Sequence, residues 1–203
     1  MAGSLAWRGA VLGLVLAAMI AALLAGWDGP LRRALAGFGA KGLGYAWGQA
    51  AYWLGLGGVQ IGAALAVVCL ALWARRLEWR RLGLGCLWAV VLSGVVSQVL
   101  KHLVGRPRPR LGLAAGEIMG PTLDSDLHSF PSGHASTSFA LAVVLAARWP
   151  RLAPLFYGVA VFIAAGRVVS GSHYLSDVLA GAALGLMVGW FLTRRSAAGR
   201  AAA

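Results

Sequence analysis

Residues 152–193 read LAPLFYGVAVFIAAGRVVSGSHYLSDVLAGAALGLMVGWFLT. Two apolar runs, 152–169 and 173–193, meet at a short polar cluster in which Arg167 ends the first and His173 and Asp177 open the second. Each run is close to the roughly 20 residues that a helix needs to cross the hydrocarbon of a bilayer. A helix at the surface of a soluble domain would carry a polar stripe along its outer face, and neither run shows one. Lipid is therefore the expected solvent for this stretch, and the polar cluster where the runs meet is what needs explaining.

Outward from this stretch, four further segments repeat the pattern: 7–26, 52–74, 82–104 and 132–149. The chain has 203 residues, 60% of them hydrophobic and only 12% charged, more apolar surface than a soluble domain of this length can cover. Trp7, Trp27, Trp53, Trp73, Trp149 and Trp190 fall near segment ends, where an interfacial aromatic belt would put them. The expected fold is all-α: a polytopic membrane protein of six transmembrane helices forming a single domain over 1–203, with no internal repeat. Arg8 before the first run raises the alternative of a signal peptide, but the apolar core is long for one and no small-x-small cleavage site follows.

The net charge of +12 comes in short basic clusters between apolar runs, which suits lipid headgroups and excludes nucleic acid as a partner. With six spans, Arg8, Arg75, Arg76, Arg80, Arg81, Arg148, Arg151, Arg194, Arg195 and Arg200 share one side. Lys101, Arg108 and Arg167 are needed for the chemistry below, which leaves Arg32, Arg33, Lys41, Arg106 and Arg110 on the other. That bias puts both termini in the cytoplasm. Residues 27–51, WDGPLRRALAGFGAKGLGYAWGQAA, are glycine-rich and mildly amphipathic and are read as lying along the membrane surface. The longest polar stretch is 105–130, with Glu117, Asp124 and Asp126. Cys69 and Cys86 sit in apolar runs and read as small buried hydrophobes.

Three polar clusters break the apolar pattern, all on the non-cytoplasmic side: KHLVGRPRP (101–109), PSGH (131–134) and GRVVSGSHYLSD (166–177). Ionisable groups at a membrane boundary are costly unless paired or used. Lys101, Arg108 and Arg167 supply three cations, and an arginine grips an oxyanion with two parallel N–H bonds. Ser132 and Gly133 open a helix, where free backbone N–H groups favour an anion. Together these groups make a phosphate cradle. His173 and Asp177, four apart, share a helix face. A carboxylate bonded to one ring nitrogen would leave the other free to attack, with His134 placed to protonate a leaving oxygen. No metal and no cofactor is called for, and no Asp/Glu cluster looks like a magnesium site. Gly181, Gly185 and Gly189 continue the four-residue spacing and predict a close helix contact.

These motifs resemble those of the type 2 phosphatidic acid phosphatase superfamily, whose signature runs K-x6-RP, PSGH and SR-x5-H-x3-D. Lys101 with Arg108-Pro109, then Pro131 to His134, then Arg167, His173 and Asp177 match it; the family serine before the arginine is Gly166 here. The resemblance implies a bacterial inner-membrane lipid phosphatase with its site facing the periplasm or exterior. It also implies a phosphohistidine at His173, orientation by Asp177 and protonation by His134. The expected partner is a lipid phosphate: undecaprenyl diphosphate, phosphatidylglycerol phosphate, phosphatidic acid or a lipid A phosphate. The alternatives are a lipid phosphotransferase of the same superfamily and, from another class, a lipid transporter. The transporter needs a polar path through the bilayer, and the spans show few polar residues deep inside. The sequence leaves headgroup and oligomeric state open.

Overall fold

The computed structural model describes residues 26–201, preceded by part of the segment 11–22. From residue 26 onward the chain forms seven α-helices: α1 Asp28–Ala40, α2 Gly42–Gly55, α3 Gly57–Trp73, α4 Leu77–Val104, α5 Gly133–Arg148, α6 Ala153–Val169 and α7 Leu175–Ala201. No strand occurs among the described residues. Among the described residues, three segments are long and apolar enough to cross a membrane: Leu77–Leu111, Pro150–Val169 and Leu175–Arg194. Helices α2 and α3 make a fourth if the pair, bent by 47°, counts as one crossing. The expected first span, 7–26, lies largely outside the described residues.

Helix α5 is the centre of the bundle and packs on α4, α6 and α7. Its 16 residues give about 24 Å of helix, short of a hydrocarbon core of roughly 30 Å. Buried Ser136, Thr137 and Ser138 also make its first half less apolar than a lone span. Along the α5–α7 seam, a Cβ on Gly181 would fall 2.4 Å from the Ser132 carbonyl oxygen. One on Gly185 would fall 2.3 Å from that of Ser136, and one on Gly189 would fall 2.6 Å from Val143 Cβ. The glycine spacing is therefore a packing seam that holds the two backbones together. The outer surface is the inverse of a soluble protein's: Leu70, Trp88, Val99, Leu103, Leu155 and Val161 are all more than half exposed.

Residues 27–51 depart from expectation. Helix α2 starts at Gly42, ten residues before the span expected at 52, and packs lengthwise on α6. Gly44, Gly48, Ala51 and Gly55 are its buried positions, a small-residue stripe that lets α6 come close. Helix α1 is pinned to the start of α7, where the Ser176 N–H donates to Asp28 Oδ1 at 3.0 Å.

Helix α4 runs the full height of the bundle. Its start meets the end of α5, with Glu78 bonded to Arg148 at 3.2 Å and the Trp79 and Trp149 rings 5.9 Å apart. Lys101 lies 23 residues further along, about 35 Å away at 1.5 Å per residue. The buried charges collect at that second end: Asp28, Lys101, Arg106, Arg167, His173 and Asp177.

Candidate functional site

The site is built where α4 ends, α5 begins and the α6–α7 turn closes. Gly105, with φ at +60°, ends α4 and turns the chain into the extended Arg106–Pro109 segment. Lys101, in the last turn of α4, is 6% exposed and donates from Nζ to the His128 carbonyl at 2.8 Å. It passes beside Gly133, where a Cβ would sit 3.7 Å from Lys101 Cε. Arg108 donates from Nε to the Ser125 carbonyl at 3.1 Å and from Nη1 to the Ser172 carbonyl at 3.3 Å. Arg167 reaches the same residue through Nη2 and Ser172 Oγ, at 2.8 Å. The three cations are near enough to repel one another, and none has a carboxylate salt bridge among the described residues. Cations gathered at this density without a carboxylate in direct contact make an anion site.

His173 sits in the turn before α7 and is 3% exposed. Its Nδ1 lies 2.8 Å from the Ser129 carbonyl oxygen and 3.8 Å from Asp177 Oδ2, so the hydrogen bond goes to the carbonyl. This differs from the expected carboxylate–ring bond, with the same result for the ring. A carbonyl only accepts, so Nδ1 carries the hydrogen and Nε2 keeps its lone pair. Burial pushes His173 down to about 4, with Lys101 and Arg108 acting in the same direction and Asp177 opposing. The ring is neutral at physiological pH.

Asp177 acts one layer back. It accepts from Arg106 Nη1 at 2.5 Å, Ser129 Oγ at 2.6 Å and the Tyr174 N–H at 2.7 Å. The last of these caps the start of α7. Through Ser129 it steadies the residue whose carbonyl holds His173. Arg106 also bridges to Asp28 on α1 at 2.8 Å, and its guanidinium lies 4.5 Å from the centre of the buried Tyr174 ring. Arg106, Asp28, Ser129 and Ser176 escaped the sequence reading, although GRPRP carries two arginines and only the second fits the signature.

At the start of α5, Ser132 is fully buried. Its hydroxyl accepts from Ala135 N at 3.5 Å, an N-cap, and its own N–H donates to the Asp177 carbonyl at 2.9 Å. The backbone donors left open for an anion are those of Gly133 and His134, which find no acceptor among the described residues. His134 is half-buried beside Tyr52, with the two ring centres 5.6 Å apart. At Gly166, a Cβ would lie 2.4 Å from Ala51 Cβ and 3.0 Å from Trp47 Nε1. The close approach of α2 thus occupies the space that a serine there would need.

A lipid-facing helical bundle with three clustered cations beside His134 and His173 at one end is an integral-membrane protein built around an anion pocket. The profile of the PAP2 superfamily matches residues 82–200, and the chain belongs to that superfamily. Over 104 residues it is 38% identical to a lipid A 1-phosphatase of Rhizobium etli, covering 50% of this chain and 44% of that protein. Over 120 residues it is 38% identical to the decaprenylphosphoryl-5-phosphoribose phosphatase of Mycobacterium tuberculosis, covering 59% and 62%. These curated relatives are thus matched over less than two thirds of their length. The fold is similar to the crystal structure of a transmembrane PAP2-type phosphatidylglycerolphosphate phosphatase from Bacillus subtilis, with a TM-score of 0.68, 21% identity and 94% of each chain covered. It is also similar to Aquifex aeolicus LpxE, with a TM-score of 0.57, 22% identity, and 83% of this chain and 95% of that one covered.

Proposed function

We propose that this protein is a membrane lipid phosphatase that removes a terminal phosphate through a phosphohistidine at His173. The observation that carries the reading is the tautomer of a buried, neutral His173, whose Nε2 is free beside three unpaired cations. Nε2 attacks phosphorus as the bond to the lipid oxygen breaks, and His134 gives that oxygen its proton. Water then attacks the P–N bond and returns a proton to His134, which releases phosphate and free His173. Lys101, Arg108, Arg167 and the N–H groups of Gly133 and His134 stabilise the charge on the transferring phosphoryl.

The six-span arrangement, with cytoplasmic termini and an outward-facing site, belongs to this proposal. Its support is the gathering of Arg75, Arg76, Arg80, Arg81, Arg148 and Arg151 at the end of the bundle opposite the site, where Glu78 meets Arg148. The matched relatives bear the names of phosphatases acting on lipid A, a decaprenyl phosphosugar and phosphatidylglycerolphosphate, which supports a lipid phosphate as substrate. The test is phosphate release by purified protein in detergent with EDTA present. The panel comprises lipid A, phosphatidylglycerol phosphate, phosphatidic acid and undecaprenyl diphosphate. Release from at least one is expected; release from none rejects the reading, and transfer of the phosphoryl group to a second lipid in place of free phosphate replaces it with a phosphotransferase.

A further inference from the structure

The chain breaks between α2 and α3, and the break lies against His134. Leu56 is extended there, with ψ at 119°, and its N–H donates to the Trp53 carbonyl at 3.3 Å. In a continuous helix that N–H would bond four residues back, to Tyr52. The break therefore releases the Tyr52 carbonyl from the helix, and a released carbonyl near the protein interior needs another donor. His134 Nε2 lies 3.2 Å from it.

Two further features fit the ring to this place. A Cβ on Gly55 would lie 2.7 Å from His134 Cδ2 and 2.6 Å from Ile163 Cγ2, so the imidazole occupies space that only glycine leaves. The Tyr52 ring faces the imidazole on one side, and the Arg167 guanidinium lies 5.4 Å from the centre of the same ring. One residue of α2 thus contacts both the half-buried histidine and a cation of the pocket.

We propose that the α2–α3 break is a positioning device for the proton donor. The Tyr52 carbonyl holds the Nε2–H of His134, which turns Nδ1 toward the leaving group. The inference rests on the phosphatase reading above. In the first step, imidazolium Nδ1–H gives its proton to the lipid oxygen as the P–O bond breaks, and the ring becomes neutral with Nε2–H still on Tyr52. In the second step, Nδ1 takes a proton from the attacking water. Gly55 and Leu56 touch no substrate and act as positioning residues.

The test is a double-mutant cycle between Gly55→Ala and His134→Ala, measured on the panel lipid that the wild type hydrolyses fastest and on p-nitrophenyl phosphate. Gly55→Ala pushes the ring off the carbonyl. It is expected to lower kcat on the lipid by about tenfold or more while KM stays within about twofold. The loss on p-nitrophenyl phosphate, whose leaving group needs little protonation, should be smaller. Added to His134→Ala, it should cost nothing further, because the group it positions is gone. Gly55→Ala/Ile163→Ala makes room for the new methyl on the Ile163 side and serves if the single variant does not fold. Equal proportional losses on the two substrates, or additive losses in the cycle, overturn the device while leaving the phosphatase reading intact. A wild type that releases no phosphate overturns both.

Discussion

His173 and His134, the two histidines of the pocket, are held in different ways. His173 is 3% exposed, fixed by a backbone carbonyl, and backed by a carboxylate that is itself held by Arg106, Ser129 and Tyr174. His134 is half-buried at the edge of α5, held by one carbonyl and one ring of a bent helix. The difference follows from what each does in the proposed reaction. A nucleophile must stay neutral and aimed, which burial and a layered network provide. A proton donor must exchange with a leaving group and with water, which requires an open edge. The same residue type is thus held in two ways, by a layered network at His173 and by a single carbonyl and ring at His134.

Replacing His173 is the most severe way to break this contrast. In His173→Ala no other group can accept the phosphoryl, and turnover on every substrate is expected to vanish while the protein still purifies as a folded species in detergent. Retention of a substantial fraction of the wild-type rate would remove His173 as nucleophile, and the burial contrast would lose its chemical meaning.

The layer behind His173 gives the next effect. Arg106→Leu leaves Asp28 and Asp177 buried without their shared cation, and breaking a buried ion pair from one side costs about 3–5 kcal/mol. Thermal denaturation in detergent should show a large drop in Tm. Asp177→Asn in the same background removes one stranded charge and should recover part of the Tm but none of the activity. A change below about 1 kcal/mol in Arg106→Leu would show that water reaches the network and that the two histidines differ less in depth than the geometry indicates.

Protonation offers a gentler probe. The folded His173 titrates near 4 and an unfolded histidine near its ordinary 6.5, so below pH 6.5 the unfolded chain binds a proton that the native chain does not. The stability from the neutral ring is fully present above pH 6.5 and is lost as pH falls through 4. Between pH 7.5 and 5 the wild type should lose about 2 kcal/mol more than His173→Gln, which has no ring to titrate. Parallel pH profiles for the two proteins would place His173 in a solvated setting.

What the sequence revealed about this site follows the chemistry of side chains. Lys101, Arg108, His134, Arg167, His173 and Asp177 could be singled out because their types and spacings are unusual in an apolar chain. The groups that hold both histidines could not, because they are the carbonyls of Ser129 and Tyr52, and a carbonyl has no residue identity. Asp28 was hidden for a different reason: it meets Ser176 across 148 positions of chain, and no local pattern links them. The early start of α2 does have a local signal. Gly44, Gly48, Ala51 and Gly55 repeat the small-residue spacing of Gly181, Gly185 and Gly189. In α2 the aromatic and polar residues around the stripe made it look like a surface segment.

The smallest expected effect lies at the other end of the bundle and fixes the baseline for the rest. Glu78 and Arg148 tie α4 to α5 at 3.2 Å, but their side chains are 79% and 48% exposed. An exposed pair of this kind contributes under about 1 kcal/mol, because solvent screens it and two long side chains must be ordered to make it. Glu78→Ala should therefore shift Tm by a few degrees at most and leave both kcat and KM unchanged. The site lies about 35 Å further along α4, and helix α4 does not depend on this contact for its core packing through Cys86, Ala89 and Val90. A tenfold loss of kcat in Glu78→Ala, with Tm preserved, would mean that α4 transmits a change from its charged start to Lys101. The contrast between the two histidines would then have to be rewritten as a property of the whole helix rather than of local depth.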